Sequence, residues 1–222
     1  MTSKTKARPS LALTVAAVVA LLLQTVSLAQ SKEGPTEWKE YYPLAVGYTW
    51  RYALSSPERH QNETIVWKVV NRASNEKGEV FAVWPTPADT DDEGMQLQVT
   101  SAGLVEVDHN FYLLQFPVTK ARQWTAGASR RFYVVSEGEP CVSGKLSFKR
   151  CAIVRDDDQE LHLRTLTTYA YGIGPVKYEY FKMNSGGTES QPTQMLTILS
   201  YSFKQSTSDS RTNHGGRKPS TE

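Results

Sequence analysis

Cys141 and Cys151 are the residues whose number and spacing point most directly to a chemical role. They are the two cysteines of the chain, and an even count favours a disulfide in a protein that enters an oxidising compartment. If Ser143-Gly144-Lys145 forms a hairpin turn, Cys141 faces a residue near Phe148, and Cys151 lies about three residues or ~10 Å beyond it. A bridge needs Cα atoms within about 7 Å. We predict the Cys141–Cys151 disulfide, which a loop wider than this hairpin would allow, and the spacing of the two cysteines excludes a CxxC redox site.

The histidines and acidic clusters lack the spacing of a metal site. The residues concerned are His60, His109, His162, His214, an acidic loop of Asp89, Asp91, Asp92 and Glu93, and the run Asp156-Asp157-Asp158. We interpret the acidic runs as solvated turns, because neither alternates Asp with Gly as calcium loops do. No GxSxG, HExxH, SxxK or P-loop pattern is present. The sequence therefore predicts no metal, no cofactor and no catalytic residue.

Aromatic side chains are the strongest indication in the sequence that the protein binds a ligand. The chain has 5 Trp, 11 Tyr and 7 Phe, and most of them must build the core. A curved sheet or a barrel mouth can also gather such rings where apolar ligands bind. Trp67 and Trp84 are the candidate ligand-binding residues, because one lies within a predicted strand and the other at a strand end.

The elements that must position these residues are short, alternating runs of Val, Thr, Tyr, Trp and Phe, which favour half-buried β-strands. Turn-forming residues separate the runs. The pattern predicts an all-β domain of about ten antiparallel strands, in a strongly curved sheet, a barrel or a sandwich, without a convincing helix. The predicted strands are 48–54, 64–70, 79–84, 96–101, 111–116, 131–135, 146–155, 160–169, 176–183 and 195–203.

An internal echo suggests two related halves. The segment 42–50 and the segment 116–124 each have an aromatic residue, Pro, an aliphatic residue, and a Trp seven positions after the Pro. Gly103-Leu104-Val105 and Gly174-Pro175-Val176 follow the two Trp residues at similar distances. The chain is thus interpreted as a possible duplication of a β-meander, with chance matching of common turn residues as the alternative.

Two motifs carry a resemblance to a known class of proteins. The first includes Pro43, Leu44, Gly47, Trp50 and Tyr52, and resembles the "(Y/F)-P-L-x-x-G-x-x-W-x-Y" opening of exported bacterial β-proteins classed as domains of unknown function (DUF3108-like). The second resembles their "Y-A-x-G-V-G-x-V-K" element and includes the residues Gly172, Gly174, Val176 and Lys177. The resemblance implies an envelope β-protein and carries no catalytic residue across.

The first 29 residues have the pattern of a cleavable signal peptide. Lys4, Lys6 and Arg8 precede an apolar run, and Ser27 and Ala29 mark a small-residue cleavage site before Gln30. The run is too short for a comfortable membrane span. We predict an exported protein, periplasmic or secreted and cleaved after Ala29, with a β-domain over 30–203 and a disordered tail over 204–222.

Net charge and composition limit the classes of partner that the protein can bind. Cleavage leaves 22 basic and 23 acidic residues, a net charge of −1, which argues against nucleic acid as a partner. The sequence favours an exported non-enzymatic β-domain without a mature membrane span that binds an apolar small molecule or lipid, or an envelope protein. The alternatives are a structural or assembly protein that uses a sheet edge, and a hydrolase without a linear motif.

Overall fold

A computed structural model describes residues 37–56, 62–86, 94–184 and 191–204. These residues form twelve β-strands and one short helix, α1 (Glu37–Tyr41). The strands are β1 (Thr49–Ser55), β2 (Asn62–Asn75), β3 (Gly78–Thr86), β4 (Met95–Val99), β5 (Gly103–Glu106), β6 (Phe111–Gln115), β7 (Gln123–Ala126), β8 (Arg130–Ser143), β9 (Leu146–Asp158), β10 (Leu163–Ala170), β11 (Gly174–Lys182) and β12 (Gln194–Ser202).

All twelve strands belong to one antiparallel sheet that is nearly closed as a barrel. Its order is β6-β5-β4-β3-β2-β1-β12-β11-β10-β9-β8-β7. The two end strands, β6 and β7, meet through side chains: the Trp124 Nε1–H donates to the Tyr112 carbonyl oxygen at 2.8 Å. We call this β6–β7 junction the seam. The prediction of an all-β fold with a curved or barrel-like antiparallel sheet is confirmed.

The strand boundaries differ from the sequence expectation at several places. β5 and β7 were not predicted, because strands of four residues offer too few alternations to recognise. β8 continues to Ser143 rather than ending at 135, and includes Gly138 and Pro140. The turn predicted at Asp156-Asp157-Asp158 is wrong, since all three residues belong to β9.

Alternation along the strands separates an inner face from an outer face. Trp50 and Tyr52 of β1 face inward and are 0% and 1% exposed. Their register partners on β2, Trp67 and Ile65, lie on the same face, because directly opposed residues of an antiparallel pair share a side. The inner face is the core of the domain.

The disulfide between Cys141 and Cys151 forms across the β8–β9 hairpin, with a Cα–Cα distance of 6.0 Å. Cys141 pairs with Phe148, as the hairpin geometry predicted, and Cys151 pairs with Glu139. The expected separation of ~10 Å is wrong because the ladder shifts register between Glu139 and Cys141 and again between Glu137 and Glu139. Such bulges bend and twist a strand pair, which shortens the distance between the two cysteines.

The matching residues of the internal echo lie six strands apart in the chain. Trp50 and Trp124 lie in β1 and β7, and Gly103 and Gly174 begin β5 and β11. If β7–β12 repeat β1–β6, the seam between β6 and β7 corresponds to the junction between β12 and β1, which is fully paired. The duplication stays a prediction.

The predicted signal peptide at 1–29 and the tail from residue 205 onward lie outside the described residues, as does the acidic loop from Asp89 to Glu93. Within the ranges that the structure describes, no helix is long and apolar enough to cross a membrane.

Candidate functional site

The two family-like motifs meet at one end of the inner face, although they are more than 100 residues apart in the chain. The Trp50 Nε1–H donates to the Ile173 carbonyl oxygen at 2.6 Å. The Tyr52 hydroxyl donates to the Pro175 carbonyl oxygen, also at 2.6 Å, and this bond is buried. We call this region the sealed end, because its large side chains are almost fully enclosed.

Glycine is required where β11 begins in the sealed end. Gly174 has a φ of +103°, and a Cβ there would lie 3.2 Å from both Trp50 Nε1 and Tyr42 Cδ2. Gly172, also at positive φ, donates its backbone N–H to the Glu40 carbonyl of α1 at 2.5 Å. The turn from β10 to β11 therefore anchors α1 and leaves room for the rings of Tyr42 and Trp50.

The other motif residues also have structural roles. Leu44 and Val176 are buried in the core at 5% and 0% exposure. Gly47 donates its N–H to the Val69 carbonyl at 2.8 Å, next to Pro43 and Leu44 in the segment that leads into β1. Lys177 forms an ion pair with Glu179 at 2.7 Å. Most of the motif residues therefore help to build the sealed end.

A group of tyrosines extends from the sealed end along the inner face. Burial raises the pKa of Tyr42, Tyr52, Tyr169 and Tyr178 well above the ordinary value. Burial also raises the pKa of Tyr180 to about 12. These phenols are therefore neutral hydrogen-bonding groups at physiological pH, and they make the middle of the inner face aromatic and mildly polar.

The opposite end of the inner face is incompletely enclosed. Here the inward-facing side chains are half-buried, whereas the next inward residue along most of the same strands is fully buried. We call this region the half-buried end. Its members are Leu54, Ile65, Trp67, Met95, Ala126, Arg130, Asp156, Thr165, Tyr178 and Tyr180.

An ion pair between Arg130 and Asp156 is the main polar feature of the half-buried end. The Arg130 Nη2 lies 2.5 Å from Asp156 Oδ2, and the Nε lies 3.0 Å from Oδ1. The two side chains are 27% and 13% exposed. Burial raises the pKa of Asp156, and the hydrogen bonds from Arg130 oppose that rise. The pair thus holds a fixed dipole on an otherwise aromatic and aliphatic surface.

Stacked rings hold Arg130 in place. Its guanidinium carbon lies 4.0 Å from the centre of the Phe111 ring and 5.3 Å from that of Phe132. The ring of Trp124 lies parallel to that of Phe132, with centroids 5.3 Å apart. Because Phe111 belongs to β6 and Trp124 to β7, this stack also fastens the seam from the inside.

The two tryptophans predicted as ligand-binding residues lie on opposite faces. Trp67 is inward-facing and half-buried, and its Nε1 is enclosed without a hydrogen-bond partner. Trp84 follows the buried Val83 in β3, so it faces outward, and it is 44% exposed. The structure therefore places Trp67 on the inner face, directly across from Trp50 where the sealed end passes into the half-buried end, and Trp84 on the outer face.

A second polar side-chain contact lies near the half-buried end, between Glu106 and His109. The Glu106 carboxylate is buried and lies 2.7 Å from His109 Nδ1, at the β5–β6 turn. In the parts of the chain that the structure describes, no group of three or more His, Cys, Asp or Glu side chains is arranged to hold a metal ion. The described residues at this end therefore carry two polar side-chain contacts, Arg130–Asp156 and Glu106–His109.

Two solved structures are similar to this chain. One is a crystal structure from Bacteroides fragilis, named as a candidate exported protein with YmcC-like fold; it is 9% identical and covers 74% of this chain and 99% of its own, with a TM-score of 0.40. The other, from Parabacteroides distasonis, is named as a candidate lipoprotein; it is 7% identical and covers 73% of this chain and 99% of its own, with a TM-score of 0.36. No protein-family model and no curated protein matches the chain.

Sequence reasoning missed Arg130, Asp156 and Tyr180. The available signal was the position of Arg130 at the start of an alternating run, with Phe132 and Val134 on the same face. An arginine in phase with buried residues needs a buried acid as partner. The Asp156-Asp157-Asp158 run could have been searched for that partner instead of being assigned to a turn.

Proposed function

We propose that this chain is an exported binding domain that takes an apolar or amphipathic small molecule of the lipid class at the half-buried end of its inner face. The observation that supports the proposal is the gradient of burial along that face. Inward-facing residues are fully packed at the sealed end and partly exposed at the half-buried end. A surface that faces inward and still meets solvent is a place where a ligand can complete the core.

The chemistry of this surface suits a long apolar chain. Leu54, Ile65, Met95 and Ala126 are half-buried apolar side chains that come from four different strands, so apolar surface recurs around the sheet at this end. A bound acyl chain would gain about 0.8 kcal/mol for each methylene that it removes from water. A chain of several methylenes therefore offsets the cost of immobilising the ligand.

The polar groups of the half-buried end would orient such a ligand. Trp67 Nε1 is an unpaired donor, and an enclosed donor without a partner is costly. An oxygen of the ligand can satisfy it. Thr165 lies directly across from Asp156, so Thr165 and the Arg130–Asp156 pair add further hydrogen-bonding groups on the inner face.

Binding of a fluorescent apolar probe, followed by its displacement with a long-chain lipid, tests the proposal. The substitution Met95→Lys places an ammonium group among the inward apolar residues, whereas Gln96→Lys adds the same charge on the exposed outer face of β4. We expect Met95→Lys to weaken binding at least about tenfold, because the charge must be desolvated or displace the chain. Gln96→Lys should bind like the wild type.

Two results would overturn the proposal. The first is a wild-type protein that neither takes up the probe nor releases it to lipid. The second is equal affinity in the two lysine variants, with urea unfolding showing that Met95→Lys is folded.

A further inference from the structure

The outer face of β8, β9 and β10 carries three arginines around one carboxylate. Arg131 of β8 and Arg164 of β10 lie directly across from Asp157 of β9, one on each side. Arg155, two residues before Asp157, also faces outward. This outer arginine cluster, Arg131, Arg155, Arg164 and Asp157, lies on the other side of the sheet from the Arg130–Asp156 pair.

The single carboxylate does not use all the donors of the cluster. Arg164 holds Asp157 with two hydrogen bonds, of 2.5 Å from Nε and 3.1 Å from Nη2. Arg155 Nη2 reaches the same carboxylate at 3.3 Å, and its Nε is enclosed without a hydrogen-bond partner. Within the described ranges, the Arg131 guanidinium contacts no acceptor. Arg131 thus retains unused, positively charged donors, and the Arg155 side chain beside Asp157 is 32% exposed although its Nε is enclosed.

A groove lies beside these donors. It has a volume of about 430 Å³ and is lined by residues of β7 and β8, with Gln123, Thr125, Arg131 and Tyr133 supplying its outward-facing side chains. The guanidinium carbon of Arg155 lies 4.3 Å from the centre of the Tyr133 ring. Tyr133 therefore connects Arg155 to the groove that Arg131 lines.

The spacing of Arg131 and Arg155 allows one anion to contact both. Arg155 is paired with Tyr133, and Arg131 is two residues before Tyr133 in β8, so the two arginines are diagonal neighbours about 7 to 8 Å apart at the backbone. Their long side chains can converge on a tetrahedral anion placed between them. Planar guanidinium groups with several donors recognise phosphate oxygens in this way.

We propose that the outer arginine cluster and its groove bind a phosphate group, carried either by a soluble phosphate ester or by the headgroup of an anionic phospholipid. The nearest acidic side chain on β11, Glu179, is occupied by Lys177, and Asp157 is occupied by Arg164 and Arg155. The charge left over is positive. Gln123 and Thr125 add neutral hydrogen-bonding groups for the part of the ligand that lies in the groove.

Binding of inorganic phosphate and of vesicles distinguishes the two sources. The measurements are a phosphate titration followed by NMR, and co-sedimentation with vesicles of phosphatidylglycerol or, as the neutral comparison, phosphatidylcholine. The variants are Arg131→Gln and Arg155→Gln. Lys149→Gln is the matched control, because Lys149 is an exposed cation of β9 outside the cluster.

We expect Arg131→Gln and Arg155→Gln each to weaken binding about tenfold, the effect of losing one charge-assisted hydrogen bond, and Lys149→Gln to leave it unchanged. Binding of inorganic phosphate supports a soluble source, and binding of phosphatidylglycerol vesicles alone supports a lipid headgroup. The proposal is overturned if neither probe binds, or if Lys149→Gln weakens binding as much as Arg131→Gln does. Because Arg131 is exposed, its variant keeps the test valid even if Arg155→Gln does not fold.

Discussion

Arg130 and Arg131 are adjacent in β8 but serve opposite faces of the sheet. Arg130 points inward, forms an ion pair with Asp156 and stacks on Phe111. Arg131 points outward, across from Asp157, and lines the groove beside the seam. Successive side chains of a strand point to opposite faces of the sheet. The two proposed binding sites are therefore separated by a single step along β8. The two guanidinium groups therefore meet different surroundings on the two faces.

The Trp50–Ile173 hydrogen bond is expected to stabilise the sealed end. Replacing Trp50 by Phe removes the donor, leaves the Ile173 carbonyl without its partner and opens a small cavity in the core. We expect the free energy of unfolding in urea to fall by about 2 to 4 kcal/mol. Trp84→Phe, on the exposed outer face, is the matched control and should change it by less than about 0.5 kcal/mol. Similar losses in both variants would contradict the structural role of the motif.

The buried tyrosines predict a loss of stability at alkaline pH. Their pKa values are raised in the folded protein, to about 12 for Tyr180, whereas unfolded tyrosine ionises near pH 10. The stabilisation is thus fully present below about pH 10 and is lost as the pH rises toward 12. Urea unfolding at a series of pH values measures it. Tyr180→Phe should make the decline shallower by about 2 kcal/mol over this range; an unchanged slope would show that Tyr180 ionises normally.

The Cys141–Cys151 disulfide should contribute modestly to stability. It closes a loop with a sequence separation of 10, for which chain entropy predicts about 2.5 to 3 kcal/mol. The double substitution Cys141→Ser with Cys151→Ser should lower the free energy of unfolding by about that amount and leave the fold intact. Mass spectrometry after alkylation without reductant checks the bridge itself. Two alkylated cysteines in the native exported protein would contradict it.

The seam is expected to depend on Trp124. Trp124→Phe keeps the stack on Phe132 and removes the hydrogen bond to the Tyr112 carbonyl, one of the contacts that join β6 to β7. Amide hydrogen exchange should become faster in β6 and β7 and stay unchanged in β1 and β12, whose junction is held by a full backbone ladder. Uniformly faster exchange would indicate general destabilisation instead of a local seam.

The fold class followed from the sequence because strand alternation and turn residues are local signals. Ten of the twelve strands overlap the predicted segments. β5 and β7 were missed because four residues give too little pattern. The closure of the sheet depends on contacts such as that of Trp124 with Tyr112, and no local signal encodes which distant strands meet.

The candidate site was harder to predict because it depends on which face each residue occupies. Trp67 and Trp84 are similar by local pattern, yet the register of β2 and β3 places them on opposite faces. The sequence assigned Asp156 and Asp157 to a solvated turn. A run of acidic residues fits a strand only once its arginine partners on neighbouring strands are known. Those partners, Arg130 and Arg164, lie on the two neighbouring strands.

Quenching of tryptophan fluorescence by a lipid with a brominated acyl chain tests the central claim most directly, because bromine quenches only nearby indoles. If the chain enters the half-buried end, the wild type should be quenched on binding, Trp67→Phe should lose a substantial part of the quenched signal, and Trp84→Phe should retain it. Loss of quenching in Trp84→Phe with full quenching in Trp67→Phe would place the lipid on the outer face and contradict binding at the half-buried end.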